Sequence, residues 1–216
     1  GRSYRDFKTV MPRKFHNHKV TLFSGCLSRD GDGEIKRSLH LPRICVEEII
    51  SLCIKHNSAF IMDNITHYYH PSMSGFTFGF IDSQVEGYRI TNLDTMLDTD
   101  IYKILVFDMQ LYDMFARYAK ENDLAIKHHS YDSCFDLVVN GCNKYDGVVP
   151  LLGNYPDNDV FVFGNDFNDY EMLRHFPNSI VFGDIARLLQ VAKINVSYDQ
   201  YQDYNFCQLI DTILSV

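Results

Sequence analysis

The sequence predicts an α/β protein: a parallel-sheet core with a mixed α+β region set into its middle. Three observations carry this. From Asn140 onward, apolar strands and helical stretches alternate strictly, the pattern of a parallel sheet covered by helices. Residues 25–138 break that rhythm and run instead as hairpins and short strands with scattered helices. No low-complexity linker or internal repeat parts the two textures, so the middle reads as an insertion reached by short crossings. The expected organisation is core over 1–24, inserted α+β domain over 25–138, and core again over 139–216. At 216 residues the chain is long enough to bury a sizeable core.

Each element has a local reason. "KVTLF" (19–23) is an apolar strand, and "CLSRDGDGEIKRSL" (26–39) is a hairpin with Asp-Gly turn chemistry. After Pro42, Val46, Ile49, Ile50, Cys53 and Ile54 fall at helical spacing. "SAFIM" (58–62), "THYYH" (66–70) and "FTFGF" (76–80) are β-rich runs separated by turn residues. "YKILVFD" (102–108) is a strand, "LYDMFARYAKEN" (111–122) an amphipathic helix, and "LAIKHH" (124–129) and "CFDLVV" (134–139) are strands. "KYDGVVPLL" (144–152) is helical in pattern until Pro150. "DVFVF" (159–163), helix "DYEMLRHF" (169–176), "SIVF" (179–182), "DIARLLQVA" (184–192), "INVSY" (194–198) and "FCQLIDTIL" (206–214) complete the alternation.

Composition excludes some functions. The net charge is −8 and no basic stripe is present, which argues against nucleic-acid binding. No apolar run approaches the ~18 residues of a membrane helix, and no signal peptide is visible. The six cysteines, Cys26, Cys45, Cys53, Cys134, Cys142 and Cys207, form no C-x-x-C pair, which speaks against zinc. Five of them lie in apolar or mixed segments and read as free thiols of a reducing cytosol, so a cytoplasmic location is expected. Nothing in the sequence fixes an oligomeric state.

Chemistry concentrates in "VFVFGNDFNDYEML" (160–173). In open α/β sheets ligands sit beyond the carboxyl ends of strands. Gly164 gives the backbone room to turn there, and Asn165, Asp166, Asn168 and Asp169 follow with oxygen donors suited to a hard cation such as Mg²⁺. The competing reading is a polar loop in which Asn168 or Asp169 merely caps the helix. Lys144, one strand and loop upstream, is a surface lysine unless its ammonium reaches the same strand end, where it would neutralise a phosphate. "RDGDGE" (29–34) fails the EF-hand spacing, with Leu41 where glutamate is needed, and reads as a hairpin turn. His67 and His70, and the adjacent His128 and His129, do not share strand faces and make poor metal pairs.

"FGNDFNDYEML" resembles the fourth motif of haloacid dehalogenase-like phosphatases, in particular the Cof-like branch, whose usual form is G-D-x-x-N-D-x-x-M-L. Lys144 in "NKYDGVVPLL" is similar to the lysine of the third motif, and "GRSYRDF" to the tail of the second, T-G-R, with its helix. The order of elements between them resembles that family's strand, hairpin and cap, so the likeness covers the whole chain. It implies a Rossmann-like parallel-sheet core with an inserted α+β cap domain. The family's nucleophile is an aspartate of a D-x-D motif on a strand before T-G-R, and that strand is not in these 216 residues. The expectation is therefore that an N-terminal segment precedes Gly1, and that residues 1–216 alone are inactive and aggregate or unfold easily. Asn165 also departs from the family, which usually has a metal-binding aspartate there.

The resemblance implies a Mg²⁺-dependent phosphatase that forms an aspartyl-phosphate on the upstream aspartate. It implies Lys144 and Asn168 as catalytic and phosphate-binding residues. Gly1 would offer a backbone N–H to phosphate, and Asn165 and Asp169 would hold the metal. The substrate class implied is a small phosphorylated metabolite, a sugar phosphate or nucleotide-like phosphate; no nucleic acid or membrane partner is expected. The rival reading is a catalytically inactive relative that binds a phosphorylated ligand or a protein partner. A third is a phosphosugar mutase, which would need a phosphorylated activator.

Overall fold

The computed structural model describes residues 2–73, 76, 78, 89–129, 133–197, 208 and 211. The chain divides into two compact units, residues 1–142 with 146–151, and residues 143–145 with 152–216. The first unit holds both the expected first part of the core and the expected insertion.

In the first unit, helix α1 (Tyr4–Val10) starts at Ser3, whose buried hydroxyl accepts the Asp6 N–H at 3.2 Å. Strand β1 (Val20–Leu22) pairs antiparallel with β2 (Leu27–Arg29), and β2 with β3 (Ile35–Ser38). The β1–β2 link is a tight left-handed turn, with φ of 50° at Phe23, 58° at Ser24 and 99° at Gly25. The β2–β3 turn is the expected Asp-Gly turn: Asp30 Oδ1 accepts the N–H groups of Asp32 and Glu34 at 3.1 and 2.9 Å.

A six-stranded sheet follows. It comprises β4 (Phe60–Asp63), β5 (His67–Tyr69), β6 (Arg89–Ile90), β7 (Lys103–Val106), β8 (Leu124–His128) and β9 (Phe135–Val139). Their order is β6-β5-β4-β7-β9-β8, with only β5–β6 parallel. Side chains alternate between its faces. Phe60, Met62, Ile104, Val106, Phe135 and Leu137 form one core with helices α2 (Arg43–Lys55) and α4 (Tyr112–Glu121); the short α3 (Leu93–Leu97) adds Met96. Ile54, counted in the α2 stripe, is 61% exposed and lies outside that core. The opposite parity carries Ile61 and Leu105, which pack with Tyr68, Phe76, Phe78 and Phe107.

That same parity carries charge. Lys103 Nζ lies 3.3 Å from Asp136 Oδ1, and His129 Nε2 lies 3.0 Å from Asp136 Oδ2. These are ion-pair distances without hydrogen-bond alignment. Burial alone would lower the Lys103 amine, but Asp136, Asp63 and Asp6 outweigh it and hold it above its ordinary value. Burial alone would raise the Asp136 carboxyl, but Lys103 and then His129 outweigh it and hold it below the usual carboxylate range.

Helix α5 (Lys144–Leu152) runs through Pro150 instead of breaking there. Its residue Gly147 explains the placement: a Cβ there would overlap Thr21 Oγ1 and come within 2.8 Å of Gly25 Cα, and Ser28 Oγ donates to the Gly147 carbonyl at 2.5 Å. Contacts of this density offset the helical bond that proline forfeits.

In the second unit, β10 (Phe161–Gly164), β11 (Asn178–Phe182) and β12 (Ile194–Val196) form the expected parallel sheet in the order β10-β11-β12. Helices α6 (Tyr170–His175) and α7 (Ala186–Leu189) provide the crossovers. The stretches expected at 76–80 and 206–214 fall largely outside the described residues, as do Gly1 and Cys207.

One expectation is overturned. Cys26 and Cys142 are not free thiols but are joined as a disulfide, with Cα atoms 5.0 Å apart. They lie 116 residues apart in sequence, so no local motif signals the pair. Cys45, Cys53 and Cys134 are buried and are not joined in a disulfide. Burial, with Asp108 adding a smaller effect, pushes the Cys53 thiol up to about 12. Among the described residues no helix is long and apolar enough to cross a membrane.

Candidate active site

The polar loop after β10 is organised by one buried carboxylate. β10 ends at Gly164, where a Cβ would lie 2.5 Å from Asp169 Cβ, 2.9 Å from its Cγ and 3.0 Å from Leu173 Cδ1. Only glycine lets the Asp169 side chain fold back over the strand end. There Asp169 Oδ2 accepts the N–H groups of Asn165 and Asp166 at 3.0 and 3.1 Å, and Oδ1 accepts Lys144 Nζ at 2.5 Å. The following turn (Phe167–Asp169) is capped by the Asp166 side chain, while Asp169 stands at the N-cap position of α6 without a side-chain cap hydrogen bond. Asp166 Oδ1 accepts the Phe167 N–H at 2.7 Å, and the two aspartates form a reciprocal capping box.

The structure thus brings Lys144, Asn165, Asp166 and Asp169 together within the second unit. The start of α5 is held there by Tyr145, whose ring stacks on His175 at 4.3 Å and meets Phe176 edge-on at 5.5 Å. Asn165 is exposed and Asp166 partly so. Asn168 contributes a buried amide oxygen with no hydrogen-bond partner, an acceptor held ready. The Lys144 side chain is 21% exposed, and its ammonium has two further N–H bonds to offer. Gly1 lies outside the described residues.

The donor set suits a hard cation only in part. Asp169 accepts N–H donors on both oxygens, which orients it, while the Asn165 amide and the Asp166 carboxylate stand closer to solvent. Among the described residues no group of three His, Cys, Asp or Glu side chains could hold a metal by itself. Mg²⁺ characteristically takes one or two protein oxygens, several waters and substrate phosphate, so a sparse donor set is compatible with it.

Comparison with known proteins gives one consistent answer. The family model of haloacid dehalogenase-like hydrolases matches residues 1–200. A haloacid dehalogenase-like hydrolase from Bacteroides thetaiotaomicron superposes with a TM-score of 0.81 at 14% identity, over 98% of this chain and 84% of that one. A subclass IIB sugar phosphatase of the same superfamily gives 0.72 at 13% identity, over 95% and 82%. A HAD/COF-like hydrolase from Plasmodium vivax gives 0.73 at 18% identity, over 90% and 74%. At these identities the structural likeness speaks for the fold. No curated protein sequence matches.

Proposed function

Because the chain belongs to the haloacid dehalogenase-like hydrolases, we propose that it is the phosphate-handling part of a Mg²⁺-dependent phosphoric monoester hydrolase. The carrying observation is the single clamp in which Asp169 holds both Lys144 and the backbone of Asn165 and Asp166. Phosphoryl transfer demands positioning and charge neutralisation above all. Lys144 supplies the positive charge for the phosphoryl oxygens, and Asp169 fixes where that charge sits. Asn168, with its unpartnered amide oxygen, orients the amine or a protonated phosphate oxygen. Asn165 and Asp166 would hold Mg²⁺, which when bound draws charge from the phosphoryl oxygens.

The nucleophile in this reading is an aspartate encoded upstream of Gly1. Its carboxylate oxygen attacks phosphorus, the bond to the leaving oxygen breaks, and that oxygen takes a proton from a second upstream carboxyl group. Water then cleaves the acyl phosphate. The substrate is a small phosphorylated metabolite, a class to which the sugar phosphatase among the neighbours lends support.

The test is hydrolysis of an aryl phosphate with Mg²⁺ by residues 1–216 and by the product of the complete reading frame. Turnover by the longer form alone is expected. Asn165, which carries no charge where a carboxylate would grip Mg²⁺ harder, favours a second reading: a relative that binds phosphorylated ligands without turning them over. Retained binding with no hydrolysis by either form would replace the first reading with the second.

A further inference from the structure

Cys26 and Cys142 tie two turns together. Cys26 follows the left-handed turn Phe23–Gly25, and Cys142 stands in the turn leading into α5, two residues before Lys144. Both cysteines are buried. Arg37, on β3, makes the same connection a second time: its Nε donates to the Gly25 carbonyl and its Nη2 to the Gly141 carbonyl, each at 3.0 Å. The residue before each cysteine is thus gripped by one guanidinium. Gly141 is exposed and has φ of 78°, with open space where a side chain would be. A glycine in an exposed turn holds one conformation only as firmly as its neighbours hold it.

We propose that the Cys26–Cys142 bond is a redox-controlled latch on the segment that carries Lys144. Oxidised, it fixes the turn from which α5 starts. A dithiol, whether a small molecule or a thioredoxin-like protein, opens it. One thiolate of the dithiol attacks a sulfur, the S–S bond breaks, and the second thiol of the dithiol resolves the mixed disulfide. Two electrons and two protons pass to the protein as two cysteine thiols, and the dithiol leaves as its own disulfide. Because both sulfurs are buried, attack waits on local opening, and the exposed turn at Gly141 is the approach. After reduction only the Arg37 hydrogen bonds and packing hold the turn, and the amine of Lys144 spends more time away from Asp169. The latch is independent of the phosphatase reading, since its direct consequence is the exposure of an amine.

The experiment uses the full chain purified without reductant. Denaturation and alkylation, followed by mass measurement, is expected to show two fewer alkyl groups than the same protein after dithiothreitol. Native protein, with and without dithiothreitol, is then treated with a lysine-acylating reagent and Lys144 is followed in its peptide. Acylation of Lys144 is expected to rise about tenfold on reduction, the size of a modest change in a local opening equilibrium. The exposed Lys8 and Lys55 should not change. The Cys26→Ser/Cys142→Ser variant should label at the reduced rate with or without dithiothreitol; if it does not fold, the wild-type comparison decides alone. A full complement of free thiols at the outset overturns the proposal. So does an unchanged Lys144 rate, and so does a uniform rise at all lysines, which would report global unfolding.

Discussion

Two of the lysine–aspartate pairs among the described residues, Lys103–Asp136 and Lys144–Asp169, share a chemistry and differ in setting. In the first unit, Lys103 and Asp136 are sealed, with 7% and 0% of their side chains exposed. In the second, Asp169 is equally deep at 4%, but Lys144 keeps 21% of its side chain in solvent. Asp136 faces the nitrogens of two side chains, Lys103 and His129. Asp169 spends one oxygen on backbone N–H groups of a loop and only the other on a lysine. A sealed pair can only hold the fold in place. A pair that is open on the amine side can also neutralise something that arrives. Burial of one partner, not the presence of a pair, separates the structural arrangement from the chemical one.

The strongest way to break this comparison is to remove charge from the sealed pair. Asp136→Asn leaves Lys103 buried without its main counter-charge and is expected to cost about 3–5 kcal/mol of unfolding free energy, measured by urea denaturation. The pH dependence follows from the directions of the shifts. Asp136 sits below its ordinary 3.8 in the fold, so its contribution is present above that value and is lost as pH falls through the folded value. Lys103 sits above its ordinary 10.5, so its contribution is present below that and is lost as pH rises through the folded value. The wild type should thus hold a stability plateau between those limits, and Asp136→Asn should flatten the acid limb. An acid limb of unchanged steepness would show that Asp136 is not the group responsible.

Removing the open pair's cation should behave in the reverse way. Lys144→Met is expected to lower kcat/KM on an aryl phosphate by about 10²–10³-fold, the usual cost of one electrostatic stabiliser. It should lower stability less than Asp136→Asn does, because Asp169 keeps its two backbone donors and the lost amine was partly solvated. Equal stability losses for the two variants, measured in the same form of the protein, would erase the distinction.

How much of this was legible in the sequence differs between the two units. The parallel strands β10 to β12 could be read because each is an apolar run bounded by helical spacing. The convergence on Lys144 was implied by the family resemblance, because residue types alone left it a surface lysine. What could not be read was the device that achieves it, since the missing Cβ of Gly164 matters only once Asp169 is seen folded over it. The competing reading, in which Asn168 or Asp169 merely caps the helix, did not foresee the 3-10 turn before α6: Asp166 caps that turn with its side chain, and Asp169 takes the N-cap position of α6 without a side-chain cap hydrogen bond. In the first unit a signal was present and passed over. Lys103 and Asp136 are charged residues inside apolar strands, at positions whose neighbours two residues away, Leu105 and Val138, are core or nearly so. Such a charge demands a partner on the adjacent strand. The Cys26–Cys142 bond and β6 left no local trace, the first being long-range and the second two residues long, whereas α3 had one in its cap, Asn92, which accepts the Thr95 N–H.

The glycine hinge of the open site offers a smaller perturbation. Gly164→Ala places a methyl where Asp169 Cβ and Cγ and Leu173 Cδ1 already lie. Overpacking of this kind is expected to cost about 1–3 kcal/mol in stability. It should also reduce kcat, because Asp169 must shift and carries Lys144 with it. A loss of stability with full activity would mean that the clamp tolerates displacement, and that its geometry matters less than its charge.

The smallest expected effect is also the one that sharpens the open site most. Asn165 is exposed at the strand end, and its backbone N–H is already fixed by Asp169, so its side chain can be changed without disturbing the clamp. Asn165→Asp keeps the oxygen donor and adds a negative charge. If Asn165 lies against Mg²⁺, the added charge strengthens binding, and at a solvent-facing position the gain should be modest, about tenfold in the Mg²⁺ concentration giving half-maximal activity, or about 1.4 kcal/mol. The same shift should appear without turnover, as a rise in thermal midpoint on adding Mg²⁺ that is larger in the variant than in the wild type. A negative charge placed near Asp166 and Asp169 with no cation between them would instead lower the midpoint in the absence of Mg²⁺ and leave its Mg²⁺ response unchanged. That outcome would remove Asn165 from the metal's surroundings and leave Asp166 as the loop's remaining acidic donor.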